Sequence, residues 1–429
     1  MKLRFIMLSV IAGVMLTGFV FGSTNSGSLL AEQAVSGNGS ESAEAIRKLR
    51  ELGPEGLNSL FSVYAADVKS YRETGQESEN WKKIAAALDK VAMQKDSYAA
   101  RLYWYTDLEE AKRAASKTGR PILSLRLLGN LNEEFSCANS RLFRSLLYSN
   151  TEVSNYLREN YILHWKSVRP APRITIDFGD GRKIERTITG NSIHYLLDDD
   201  GKIIDALPGL YSPKAFMIYI TQARQVNDAI DGKPGPVQDL ALMRYRKLCF
   251  DRIREKRERV GRQVKVTTPK NLLMAGTDAF SAAPRAMAKM MATDEISLLR
   301  VYDNFSIFAP QFDFSDWEKL AVLYSPMPAL DGASTAFVLR QTSKTGLTEA
   351  EFNKMFTKLR GLVGLDTTRN DFLYHMQLYS WLNDARKGDL EAFNARVYAD
   401  IFKTPNSDEW LGLYSTDVYT ALDGNGIIK

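Results

Sequence analysis

Pro121-Ile122-Leu123-Ser124-Leu125-Arg126-Leu127-Leu128, followed after a short connection by Cys137-Ala138-Asn139-Ser140, is the stretch on which the fold turns. A short, nearly continuous apolar run beginning at a proline predicts a strand buried on both faces. Upstream, Thr106 or Asp107 can cap a helix running to about Lys117, with Glu109 and Glu110 in its first turn, where the helix dipole favours negative charge. Thr118-Gly119-Arg120 ends that helix. Beyond Cys137 the pattern predicts a further helical stretch, a strand over Tyr161 to Val168 and an alternating strand over Ile174 to Phe178. A turn at Gly179-Asp180-Gly181 returns the chain as a strand over Lys183 to Ile188. Ile193 to Leu197 and Ile203 to Ala206 form another hairpin about Asp198-Asp199-Asp200-Gly201, and a helix over Pro213 to Val226 closes the unit. Helix and strand alternating, then an antiparallel hairpin and a final helix, predict an α/β unit: a mixed sheet sandwiched by helices.

From about Tyr103 to Ala229, under a third of the chain, this unit resembles an exported bacterial thioredoxin-like domain. The resemblance is carried by Thr106-Asp107-Leu108-Glu109-Glu110-Ala111 and Gly119-Arg120-Pro121-Ile122-Leu123. Val153-Ser154-Asn155-Tyr156-Leu157-Arg158-Glu159-Asn160-Tyr161 and Asp200-Gly201-Lys202-Ile203 carry it too. It implies thiol-disulfide exchange, with Cys137 as the attacking thiol and a protein or low-molecular-weight disulfide as substrate. It also implies that Asn191, Ser192 and His194 form the substrate-binding edge. Two departures alter the chemistry. Ser140 occupies the place of the second, resolving thiol, so only a monothiol reaction with an external thiol, an isomerisation or covalent retention is open to Cys137. Gly190-Asn191-Ser192-Ile193-His194 lacks the proline that thioredoxins place, in cis, before the strand facing the reactive site.

Read from the residues themselves, Cys137 at a helix start meets backbone N–H groups that favour a thiolate, with Arg141 and Arg144 adding to the effect and Glu133 and Glu134 opposing it. The alternative is an ordinary semi-buried cysteine. His194, on a strand near Cys137, is either a proton carrier for thiol exchange or a hydrogen-bonded structural residue, and His164 and His375 fall in the second class. No His/Cys cluster has ligand spacing, so no metal is expected, and no motif calls for a cofactor. Asp198-Asp199-Asp200-Gly201 lacks the spaced ligands of a calcium loop and is expected to be a turn.

The first residues, with Lys2 and Arg4 ahead of an apolar stretch from Phe5 to Phe21, resemble a secretory signal cleaved near Ser23; an uncleaved anchor is the alternative. A periplasmic or extracellular location follows, with no membrane span after cleavage. Loss of Lys2 and Arg4 leaves 54 basic against 51 acidic side chains, a balance of +3 that calls for no nucleic-acid partner. Two cysteines, Cys137 and Cys249, make no disulfide framework, although the pair is free to bridge in an oxidising compartment.

Residues 23–41 are expected to be a polar linker. Apolar spacing then predicts helices through Ile46, Leu49 and Leu52, through Leu57, Leu60 and Phe61, and through Trp81, Ile84, Leu88 and Val91, with a break at Gly53-Pro54. After a second linker, residues 231–238, the chain is expected to be helical, with stripes at Leu242, Tyr245, Cys249 and Ile253, at Trp317, Leu320 and Leu323, and from Phe352 to Phe402. From Arg244 to Arg262, nine basic and three acidic residues predict a solvated helix face laced with ion pairs. Asp408 to Tyr414 is expected to dock back on the helical region. Two functions stand at this point: an exported monothiol oxidoreductase or isomerase acting through Cys137 assisted by Ser140, and a redox-inactive thioredoxin-fold binding or assembly protein of the cell envelope.

Overall fold

The computed structural model describes residues 22–36, 38–187, 190–265, 314–383, 389–402, 409 and 421–427. The expected signal (but for Gly22), the end of the expected strand at Ile188 and nearly all of Asp408 to Tyr414 lie outside them. At its centre is a five-stranded mixed sheet in the order β1-β3-β2-β6-β7, made of Trp104–Tyr105, Ile162–Arg169, Ile122–Leu128, Ser192–Leu197 and Ile203–Pro208. β1 and β2 run parallel to β3, whereas β6 is antiparallel to β2 and to β7. All seven residues of β2 are buried, as an interior strand requires. The other hairpin, β4 (Arg173–Asp177) with β5 (Lys183–Thr187), forms a separate two-stranded sheet. Its side chains, exposed or half-buried but for the buried Thr187, have too little apolar surface to enter the main sheet.

The helix before β2 runs Leu108–Thr118 (α7), capped by the Asp107 carboxylate accepting from the Glu110 N–H and ended by Gly119 at φ +65°, as its sequence predicts. After β2 come α8 (Ala138–Leu142), which widens into a π-helical turn over Phe143–Tyr148, and α9 (Thr151–Asn160). α10 (Pro213–Ile230) follows the sheet. Alternation assigns the two faces of the sheet. Leu125 and His194 are register partners, and His194 packs on Phe143, Tyr148 and Phe216, so α8, its π turn and α10 cover that face. Ser124, Arg126 and Tyr195 point the other way and meet a distant element, α16 (Leu390–Arg396): Glu391 pairs with Arg126 at 2.9 Å and the Tyr195 hydroxyl donates to Asn394.

Two linkers expected from composition are not linkers. Residues 22–36 form helix α1, because Ala31, Ala34 and Val35 fall on one side of a helix and bury themselves against α2 (Gly39–Glu51) and α3 (Pro54–Val63) despite the surrounding serines and glycines. The second linker shrinks to a turn at Asp231 to Pro234, since α11 already starts at Gly235 with Pro236 in its first turn and runs to Val264. The remaining amino-terminal helices are α4 (Ala65–Thr74), α5 (Glu79–Ala92) and α6 (Ser97–Ala100). These six helices share one core, into which Phe337 also reaches.

The carboxyl-terminal helices are α12 (Phe314–Tyr324), α13 (Gly332–Ser343), α14 (Glu349–Arg369), α15 (Met376–Asn383) and α16. A π turn over Asn370–His375 joins α14 to α15, and another over Val397–Ile401 extends α16. They do not form a region apart: one continuous core contains sheet residues such as Leu125 and Leu207 together with Cys249, Val363, Leu378 and Ile401. The basic helix α11 shows why. Arg246 is buried and donates to the carbonyls of Ile203 and Ile204 on the edge strand β7 and of Leu382. Arg257 is buried as well. The expected solvated face holds only in part, through Lys247 and Arg254 pairing with Asp251. Cationic side chains that satisfy the open carbonyls of an edge strand protect it from pairing with another chain.

Candidate functional site

Cys137 stands one residue before α8, as predicted. Its N–H donates to the carbonyl of Leu128 at 3.0 Å, and its own carbonyl accepts from the Ser140 hydroxyl at 2.8 Å. These bonds fix the thiol at the carboxyl end of the central strand. The sulfur lies 2.9 Å from Ser192 Oγ, 3.4 Å from Ser140 Oγ and 3.8 Å from the carbonyl of Asn191. Cys137, Ser140, Asn191 and Ser192, selected from the sequence, are therefore brought together.

They are brought together inside. Cys137, Ser140, Asn191, Ser192 and His194 each have 0% solvent exposure. The segment bearing Asn191 is pinned from three sides: Asn139 donates to the carbonyl of Gly190, Arg141 donates to Thr187 Oγ1 at 3.0 Å, and the Tyr398 hydroxyl donates to the carbonyl of Asn191 at 3.2 Å. No cis peptide bond opens an edge at this segment. The expected substrate-binding edge is thus a packed interior, because the strand that carries it is an inner strand covered on both faces.

The supporting charges act elsewhere. Arg144 is buried and donates to the carbonyls of Leu131 and Glu133, holding the loop before Cys137. Arg141 reaches the hairpin, where it donates to Thr187 Oγ1. His194 does not trade protons with Cys137: its Nε2 is 2.7 Å from the Tyr148 hydroxyl, and burial pushes its pKa down to about 3, which keeps the ring neutral. His164 is likewise pushed down to about 3, by burial and then by the Arg126 charge, and bonds to Ser124 at 2.8 Å. Ser192→Ala should remove the sulfur's shortest polar contact and cost about 1 kcal/mol. A denaturant midpoint unchanged from wild type would show that the contact contributes nothing.

A second polar centre was not foreseen. The ring of His375 sits between two carboxylates, with Nε2 3.0 Å from Asp205 on β7 and Nδ1 3.3 Å from Asp371 one helical turn away. Tyr245 and Tyr379 donate to Asp205 at 2.6 and 3.0 Å; Tyr219 and Tyr324 each donate to Asp371 at 2.8 Å. Burial opposes a charge on this ring, but attraction to Asp205 and bonds to both carboxylates prevail and raise its pKa to about 9. The sequence did hold a signal, since Asp371, His375 and Tyr379 recur at i, i+4 along one helical face. A cavity of about 170 Å³ adjoins the cluster, with Asp371, Tyr219, Tyr324 and Cys249 in its wall. Burial and then the charge of Asp205 push the Cys249 thiol up to about 11, so it stays protonated at neutral pH.

Both cysteines are free thiols. Among the described residues no three His, Cys, Asp or Glu side chains are grouped as metal ligands. The Asp198 carboxylate accepts from the Lys202 N–H of its own turn at 2.7 Å, the bond expected of a hairpin loop. Among the described residues no helix is long and apolar enough to cross a membrane. No protein-family model matches the chain, and neither does any curated protein or solved structure.

Proposed function

We propose that this chain is a thioredoxin-fold binding or assembly protein of the cell envelope in which the thiol packs the core instead of exchanging disulfides. The fold reading is supported by the sheet order and sense, by helices on both faces, and by a cysteine at the turn from the central strand into a helix with the loop before β6 against it. The redox-inactive reading rests on one observation, the complete enclosure of Cys137 beneath Tyr398 and the Asn191 segment. A thiol must reach its disulfide to attack it, and Ser140 removes the resolving partner. Partner binding then falls to the helices that wrap the sheet.

The rival reading, monothiol exchange, draws support from Ser192, whose hydroxyl can donate to a thiolate, and requires α16 to swing away first. Alkylation of the native protein, read at each cysteine by peptide mass, separates the two. Slow modification of Cys137, limited by opening of the fold, together with unchanged disulfide exchange in Cys137→Ser, is expected. Rapid modification with a Cys137-dependent mixed disulfide would establish the exchange reaction instead.

A further inference from the structure

Where the amino-terminal helices, α9 and α13 meet, a pocket of about 310 Å³ is lined by four arginines: Arg72 of α4, Arg101 just after α6, Arg158 of α9 and Arg340 of α13. No aspartate or glutamate lines it, and no described carboxylate forms an ion pair with any of the four. Three of them are held by neutral main-chain carbonyls: Arg72 donates to Tyr98 at 3.1 Å, Arg158 to Ala100 at 2.8 Å and Arg340 to the carbonyl of Arg72 at 3.1 Å. Carbonyl dipoles aim the guanidinium groups without cancelling their charge.

The repulsion is visible in the groups themselves. Loss of hydration and then the Arg340 charge push the Arg72 pKa down; loss of hydration and then the Arg101 charge do the same to Arg158. Arg101 is exposed, stacks over Phe61 at 5.1 Å and is held at φ +54°, a left-handed conformation that bulky side chains rarely adopt. The neighbouring cleft, which Arg340 also lines, makes the contrast: there Lys344 meets Glu77 at 3.0 Å and Lys95 meets Asp96 at 3.7 Å. Two lysines of that cleft meet carboxylates, whereas among the described residues none of the four arginines of this pocket does.

We infer that the four-arginine pocket binds a phosphate or sulfate dianion, free or as the monoester of a small molecule. The planar guanidinium fork matches tetrahedral oxyanions with paired N–H donors; Thr151 and Asn155, whose side-chain oxygen accepts from Arg158, line the same space. The volume lies near the lower end of small-molecule sites, about 300 Å³, which leaves room for an organic part beside the anion. The site is independent of Cys137.

The test is calorimetric titration of the whole protein with inorganic phosphate, inorganic sulfate and phenyl phosphate at constant ionic strength, with chloride as the control. Saturable binding by at least one of the three, weakened about tenfold in Arg101→Gln and retained in Cys137→Ser, is expected. Tighter binding of phenyl phosphate assigns the site to a monoester; equal or weaker binding assigns it to the free ion, and either upholds the oxyanion site. Arg340→Gln serves as a second variant should Arg101→Gln disturb folding, which the thermal unfolding profile reports. No heat beyond that of chloride, or wild-type affinity in both variants, would overturn the inference without touching the reading of Cys137.

Discussion

Replacing His375 by Leu is expected to destabilise the protein by about 3–5 kcal/mol, the cost of leaving buried charge without its partner. Asp205 and Asp371 are both buried, and among the described residues His375 is the cation paired with them. The four tyrosine hydroxyls can solvate those carboxylates but cannot neutralise them. The same cluster gives a pH dependence of known sign. His375 rises from an ordinary 6.5 to about 9, so its contribution is complete below pH 6.5 and is lost as pH climbs through 9. Such a rise corresponds to about 3 kcal/mol. Asp205 is held below its ordinary 3.8 by His375 and by hydrogen bonds from Tyr245 and the Ala206 N–H, against the opposing effect of burial; its contribution disappears as pH falls below that value. The cluster is therefore firmest between pH 3.8 and 6.5. Urea unfolding of wild type and His375→Leu across pH 6 to 9 checks this. Wild-type stability should fall toward the mutant's as pH rises, and two parallel curves would contradict the assignment of charge to His375.

Glu391→Ala is expected to cost about 2–3 kcal/mol and to act on a site it does not touch. Arg126 lies at 0% exposure in the middle of the central strand, and the Glu391 carboxylate at 2.9 Å is its anionic partner. Because Glu391 itself is half exposed, the loss falls short of that for a fully buried pair. The affected element is α16 with its π turn, which carries Tyr398 over the Asn191 segment. Hydrogen exchange in residues 390–402 should accelerate, and alkylation of Cys137 should accelerate with it. Arg126→Met, which removes the buried charge while filling its space, should leave stability nearly unchanged. If Glu391→Ala speeds exchange in α16 but leaves Cys137 as protected as before, α16 is not what closes the site.

Much of the site was present in the linear pattern. Cys137 was placed at a helix start because Pro121 to Leu128 can only be an interior strand and the polar connection after it must turn. Ser192 opposite it came only from the resemblance, which matches Gly190 to His194 with the segment that faces the reactive site in thioredoxin-like domains. The exposure of the sulfur was not legible, since the residue that closes over it, Tyr398, is separated from Cys137 by most of the carboxyl-terminal half of the chain. The linker expected at residues 23–41 failed for a related reason. Ser26, Ser28 and Ser36 lie on the exposed side of α1, while Ala31, Ala34 and Val35, small and easily overlooked, decided its burial.

By itself the sequence determined the local order of helices and strands, the hairpin at Asp198 to Gly201, the capped helix from Leu108 and the strand-to-helix turn at Cys137. Each of these depends on residues a few positions apart, where periodicity and capping act directly. The tertiary structure alone decided that one thiol is sealed, that His375 is charged between two aspartates, and that four arginines from separate elements face one pocket. Those properties are set by desolvation and by Coulomb interactions between groups up to hundreds of residues apart in sequence, and both depend on distance in space.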